Sequence, residues 1–200
     1  DFKPWERYGF TGGSLDDFVD LMRDIIWSRH AQGKVAALKC AEAYCRPITF
    51  LPDDYDAACA VFGLHPDKAT ENQKLLFGNY IFNRCCELAT ELDIPFQVHT
   101  GLAQLGGSQP MNLRLILEKH PRTRFVLFHS GFPWTHEVSG LVHNYSNALP
   151  NLTWTPIICT SSAIRALHDF IDVAPSINTI TWGSDCRMPE DSVGAMLAWR

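Results

Sequence analysis

Two periods of apolar spacing take turns along this chain. Leu15, Phe18, Val19, Met22, Ile25 and Ile26 recur every third or fourth position, the spacing that lines one face of a helix. Ser14 precedes them with Asp17 three places on, the form of a capping box, and Gly33 follows as a stop. Val35 to Cys40 is then a short continuous apolar run carrying Lys39, which reads as a buried strand. Leu76, Tyr80, Ile81, Cys85, Leu88 and Leu92 return to helical spacing and predict a helix over 72–92. Three further strand-like runs follow: IPFQVHTG at 94–101, RFVLFHSG at 124–131 and INTITWGSD at 177–185. LTWTPII, 152–158, reads as another strand. Between the runs lie helical stretches: one opened by Pro110 and stopped by Pro121, one over 134–148, and one capped by Ser161 or Ser162 and ended by Pro175. Pro189 starts a last helix.

Strand and helix thus alternate, the pattern of a parallel α/β fold. The regular spacing of the units suggests a (β/α)8 barrel. Only about five strands are legible, whereas eight close such a barrel. The expectation is one barrel domain over 1–200, an incomplete excerpt of a longer chain. Residues 46–73, with Pro47, Pro52 and Pro66, form a long excursion. It reads either as a lid or substrate wall or as a surface insertion with a short helix near 55–62. Trp5, Tyr8 and Phe10 make the first residues too apolar for a free tail.

Composition narrows the class. The chain has 200 residues, 46% apolar and 20% charged, as in an ordinary globular protein. A formal charge of −5 without a Lys/Arg block argues against a nucleic-acid binder. No apolar run approaches the roughly 20 residues of a membrane helix. Seven cysteines without a CxxC pair read as reduced thiols of a cytoplasmic protein; a zinc site on Cys40 and Cys45 lacks the usual spacing.

Three of the strand-like runs end on a polar residue: His99, His129 and Asp185. The carboxyl edge of a parallel sheet is where chemistry sits in such folds. Neutral imidazoles and a carboxylate suit zinc, with manganese or iron as alternatives. A metal held by such groups generates a nucleophilic water near neutral pH, and a carboxylate beside it can move the proton. Lys39 at its own strand end must find water, a carboxylate or a ligand, because an unpaired buried ammonium is too costly. His120 has a simple explanation as a cap of the helix dipole.

Taken together, PFQVHTG, FVLFHSG and ITWGSDCR resemble the fifth, sixth and eighth barrel strands of the amidohydrolase superfamily, in its amidohydrolase-2 branch. LKCAEAYCR, 38–46, is similar to that branch's lysine-bearing fourth strand and the tyrosine–arginine element after it. The branch includes uronate-isomerase-like proteins and the amidohydrolase-like domain fused to glutamine-synthetase-like proteins. The resemblance runs from about Val35 onward. It implies a metal-dependent hydrolase with His99 as metal ligand and Asp185 as ligand and general base. His129 would be a ligand to a second metal, or would orient the substrate. Lys39 would contact substrate or be carboxylated between two metals. Arg46 and Arg187 would clamp a substrate carboxylate. Trp182 is expected in the barrel core, with pocket lining as the alternative. The family's first-strand His-x-His pair is absent from this sequence.

The implied reaction is attack of activated water on an amide, ester or lactone of a small, carboxylated molecule. A uronate-isomerase-like or decarboxylase activity on the same scaffold is the alternative. A truncated, non-catalytic barrel serving as a binding or assembly module is the other, and homo-oligomerisation would suit its open edges.

Overall fold

The computed structural model describes residues 9–199. Helix α1, Leu15–Ala31, opens as expected on Ser14: the Asp17 amide donates to Ser14 Oγ at 3.1 Å, and the Ser14 amide to Asp17 Oδ2 at 2.7 Å. Strand β1 is Leu38–Cys40. Helix α2, Tyr55–Val61, lies within the long excursion, and α3, Glu71–Glu91, follows. The start of α3 is a second capping box, Thr70 with Gln73, a T-x-x-Q signal present in the sequence. Strand β2, Phe96–His99, leads to α4, Arg114–Lys119, and β3, Phe125–Phe128, to α5, Thr135–Asn144. Strand β4 is Ala148–Pro150, and the remaining helices are α6, Thr155–Ile158, α7, Thr160–Val173, and α8, Asp191–Trp199.

The four strands form one parallel sheet in the order β1-β2-β3-β4. Sequence neighbours are therefore spatial neighbours, as in a run of βα units. A fifth run continues the sheet. The Thr181 amide donates to the Pro150 carbonyl at 3.1 Å, the Leu152 amide to Thr181 at 2.9 Å and the Trp154 amide to Gly183 at 3.1 Å. The expected strand over 177–185 is shortened to this stretch, because Ile177–Thr179 is a 3-10 turn.

Side chains alternate across the sheet. Cys40, Phe96, Val98, Phe125, Leu127 and Ala148 face the helices and are buried. They pack with Leu88, Leu117, Leu141 and Phe170 of the helices into the main core. Lys39, Gln97 and Val126 share the register of the opposite face. A parallel sheet is normally covered on both faces; here the second face borders an open cavity.

Several expectations change. LTWTPII is not a strand: β4 has already ended, Trp154 takes a left-handed backbone (φ 63°), and Pro156 starts the α6 turn. The expected helix to Ala148 stops at Asn144, since Ala148 is the first residue of β4. Cys159, rather than Ser161 or Ser162, precedes α7, with no side-chain cap. His120 does not cap the dipole: its Nε2 pairs with Asn83 Oδ1 on α3 at 2.7 Å. The excursion holds the expected short helix, α2, and its Ile48 and Phe50 join the main core. Leu15, Val19, Ala58 and Tyr80 form a small second core between α1, α2 and α3, with Phe62 and Phe77 against it. Phe10 packs on Phe18 and Phe62, while Trp5 and Tyr8 lie outside the described residues. All seven cysteines are free thiols, and Cys40 is buried while Cys45 is exposed.

Candidate active site

The two His-x-Gly turns explain how His99 and His129 meet. Strand β2 ends on His99 and β3 ends just before His129, and each histidine is followed by a hydroxyl residue, then Gly. The hydroxyl ties its turn to the next strand: Thr100 Oγ1 donates to the Phe128 carbonyl at 2.5 Å, and Ser130 Oγ to Asn151 at 3.3 Å. The glycine lets the turns touch. Gly101 sits at φ 64°, and a Cβ there would run into the Phe132 carbonyl oxygen and the Gly131 backbone. Two turns in backbone contact bring the imidazoles to ring centroids 4.4 Å apart.

The hydrogen bonds fix the protons. His129 Nδ1 lies 3.0 Å from the Thr153 carbonyl oxygen, which can only accept, so this nitrogen carries hydrogen. In the neutral ring, His129 Nε2 is then a lone pair. It faces His99 Nδ1 at 3.2 Å, so His99 Nδ1 is the donor. His99 Nε2 is left as a buried lone pair without a partner. Burial holds both rings neutral. It pulls His99 down to about 4, aided by His129 and Lys39 and opposed by Asp185. Burial also lowers His129, against the Thr153 bond and the Asp185 charge.

Asp185 Oδ2 stands 4.0 Å from His129 Nε2, on an exposed side chain. Its backbone is left-handed (φ 56°), as are His129 (φ 64°) and Trp154 (φ 63°). Such conformations are uncommon for residues other than glycine, and they gather at functional edges. Asp185 also lines a cavity of about 390 Å³ with Gln97, Phe128, Thr153 and Trp182. Trp182 is thus a lining residue, its ring tilted against Trp199 with centroids 5.7 Å apart, and not barrel core. The Lys39 ammonium lies 3.2 Å from the centroid of the Phe128 ring. Partial burial lowers it to about 8, with Asp185 opposing; the ring face favours the charged form.

Of the expected site residues, His99, His129 and Asp185 come together, and Lys39 shares the inner face. Arg187 is exposed, without a hydrogen-bond or ion-pair partner among the described residues. Arg46 is not gathered into the cluster. Its guanidinium donates to Asn79 Oδ1 at 2.7 Å and to the Leu75 and Thr49 carbonyls at 3.1 and 3.3 Å, and it lies over Phe50. One contributor went unnoticed in the sequence, and another was named only within the tyrosine–arginine element. Thr153 orients His129 through its carbonyl, which no side-chain pattern announces. Tyr44 packs its ring on His99, 4.6 Å between centroids, and its signal was its place in the AYCR motif.

The donors suit a divalent metal in kind, and the orphaned His99 Nε2 is a lone pair of the type that such metals take. They fall short in number. Among the described residues no group of three or more His, Cys, Asp or Glu is arranged to hold a metal ion. No described helix is long and apolar enough to cross a membrane.

Comparison with known proteins agrees with this fold. The fold matches a protein of Lactobacillus casei described as a metal-dependent hydrolase, with a TM-score of 0.76 and 17% identity, over 97% of this chain and 53% of that one. It also matches the uronate isomerase of Thermotoga maritima, with a TM-score of 0.62 and 18% identity, over 85% and 42% of the two chains. A curated relative, protein fluG of Emericella nidulans, is 30% identical over 101 residues, 48% of this chain and 12% of its own length. The chain therefore spans about half the length of these structural relatives and a small part of fluG. The amidohydrolase family model matches residues 37–194, which include β1 to β4, both His-x-Gly turns and Asp185, and the chain belongs to the amidohydrolase family.

Proposed function

We propose that this chain builds the carboxyl edge of a metal-dependent hydrolase centre, acting on an amide, ester or lactone of a small carboxylated molecule. The observation that carries the reading is the His129–His99 pair, whose proton order leaves His99 Nε2 a buried lone pair without a partner, with Asp185 Oδ2 4.0 Å from His129 Nε2. Family membership implies a divalent metal, and zinc is the ion we favour for two imidazoles and a carboxylate. His99 through Nε2 and Asp185 would hold it, His129 joining them only by giving up the bond its Nε2 accepts from His99, and other groups would supply the rest of the coordination shell. Such a metal supplies a water activated near neutral pH.

The chain's own residues have separate tasks. The Thr153 carbonyl holds the Nδ1 proton of His129 and so turns the Nε2 lone pair towards the site. The exposed Asp185 carboxylate takes up the proton released by the attacking water. Lys39, a cation on the inner face, and the unpartnered Arg187 receive the substrate carboxylate. A cavity of about 390 Å³ suits a small molecule.

The test is metal content together with turnover on carboxylated amides, esters and lactones. His99→Ala is expected to lose bound metal, and Asp185→Asn to lose turnover. Both variants matching the wild type in metal and rate would sink the reading. The likeness to a uronate isomerase keeps hexuronate isomerisation as the second assay; a response there alone would move the assignment from hydrolase to isomerase.

A further inference from the structure

Tyr44 stands out in a search of the rest of the molecule. It is a large aromatic side chain, 56% exposed, on a rigid turn, and its ring lies against an imidazole that is only 4% exposed. The turn is the 3-10 segment Glu42–Tyr44 just past β1. It closes on itself through the Cys45 and Arg46 amides, both donating to the Glu42 carbonyl at 2.8 Å. It is also stitched to the loop after β2. Gln104 donates its Nε2 to the Tyr44 carbonyl at 2.8 Å and its amide to Ala43 at 3.2 Å, and the Ile48 amide donates to Gly107 at 2.9 Å. Ala43 and Ile48, on either side, are fully buried. An exposed ring on so fixed a frame is not there for the core.

What it touches matters. The side-chain torsion next to an imidazole ring is broad and roughly two-fold, so a ring flip that exchanges the nitrogen and carbon edges needs outside packing to forbid it. His129 meets one edge of His99 through a single hydrogen bond. The Tyr44 ring, tilted 55° to the imidazole with centroids 4.6 Å apart, packs against it. The phenol hydroxyl has no partner among the described residues.

We infer that Tyr44 is the positioning residue of His99: its ring hinders the flip of the imidazole and so keeps the orientation, chosen by the bond to His129, that gives Nδ1 to that residue and leaves Nε2 without a protein partner. The assignment rests on the reading of His99 as a metal ligand only for its consequence, not for its geometry. The aromatic ring does the holding, so Tyr44→Phe keeps the orientation and Tyr44→Ala loses it.

The experiment is nitrogen NMR of labelled histidine in the metal-free chain at mildly alkaline pH, with His99 assigned by His99→Gln. Wild type and Tyr44→Phe are expected to show His99 as one tautomer, protonated on Nδ1. In Tyr44→Ala the two ring nitrogens average. The His120 signal, fixed by Asn83, reports that each variant is folded. A single Nδ1-protonated tautomer in Tyr44→Ala overturns the inference. A measurement on the wild type alone guards against an unfolded variant: acylation by diethyl pyrocarbonate should spare His99 while modifying the exposed His65 and His136. His99 reacting as fast as those two also overturns it. A Zn2+ titration separates the readings. Binding about tenfold weaker in Tyr44→Ala than in Tyr44→Phe is the expected size for loss of a residue that orients a ligand. No effect of Zn2+ on His99 in the wild type overturns the metal assignment, and the tautomer pattern still judges Tyr44.

Discussion

Replacing Gly78 by Ala should destabilise this protein, although helix propensity alone says the opposite. Gly78 lies inside α3, where Gly→Ala ordinarily gains about 1 kcal/mol. A Cβ at this position, however, falls 2.5 Å from Arg46 Nη1. That nitrogen donates to the Leu75 carbonyl, and the same planar fork sends Nη2 to Asn79 Oδ1 at 2.7 Å. A rigid guanidinium cannot move one nitrogen and keep the other in place. Both bonds weaken together, and Asn79, only 3% exposed, is left with an unsatisfied oxygen. Hydrogen bonds to a charged group contribute roughly 1.5–3 kcal/mol each. Arg46 is only half-buried, so water recovers part of this. The net expectation is a loss of about 1–2 kcal/mol in place of a gain of about 1. Urea unfolding followed by circular dichroism on a double-mutant cycle with Arg46→Met checks the sign. In the Arg46→Met background, Gly78→Ala should stabilise, giving a coupling of roughly 2–3 kcal/mol. If Gly78→Ala stabilises the wild type as much as it stabilises Arg46→Met, the clash argument is wrong.

Gly101→Ala should cost more, about 3 kcal/mol or above, because a Cβ there meets backbone that cannot swing aside and φ is 64°; thermal unfolding will show it. Thr100→Val keeps the shape but removes the bond to the Phe128 carbonyl, and a loss of about 1 kcal/mol is expected in the same assay. Burial pulls His120 from 6.5 down to about 4. The unfolded chain therefore binds this proton first as the pH falls below 6.5. Stability is unaffected above that pH and falls between 6.5 and 4, by at most about 1.4 kcal/mol per pH unit and roughly 3 in all. Urea midpoints across this window should fall less steeply for His120→Gln; an identical slope would refute the assignment.

The readable elements were those whose cause is local. The stripe from Leu76 to Leu92, the Ser14 capping box and the two apolar runs ending in His needed only neighbours along the chain, and the structure has all of them. LTWTPII misled because a short apolar run does not tell a strand from a helical turn by period. The choice was made by the left-handed Trp154 and by Pro156 at a helix start. The true strand beside it, Ala148–Pro150, is three residues long and carries no period of its own.

Arg46 shows the same divide at the level of a side chain. Its type suits a carboxylate clamp, but its partners Leu75 and Asn79 come from a helix far along the chain. By itself the sequence determined that His99, His129 and Asp185 close successive apolar runs, and that a hydroxyl and a glycine follow each histidine, because spacing and residue type are properties of the chain alone. Only the tertiary structure decided which nitrogen of each imidazole holds the proton. That choice belongs to the Thr153 carbonyl, which takes the His129 proton, and to the His129 Nε2 lone pair, which takes the proton of His99, groups brought together by the sheet register and by no local pattern.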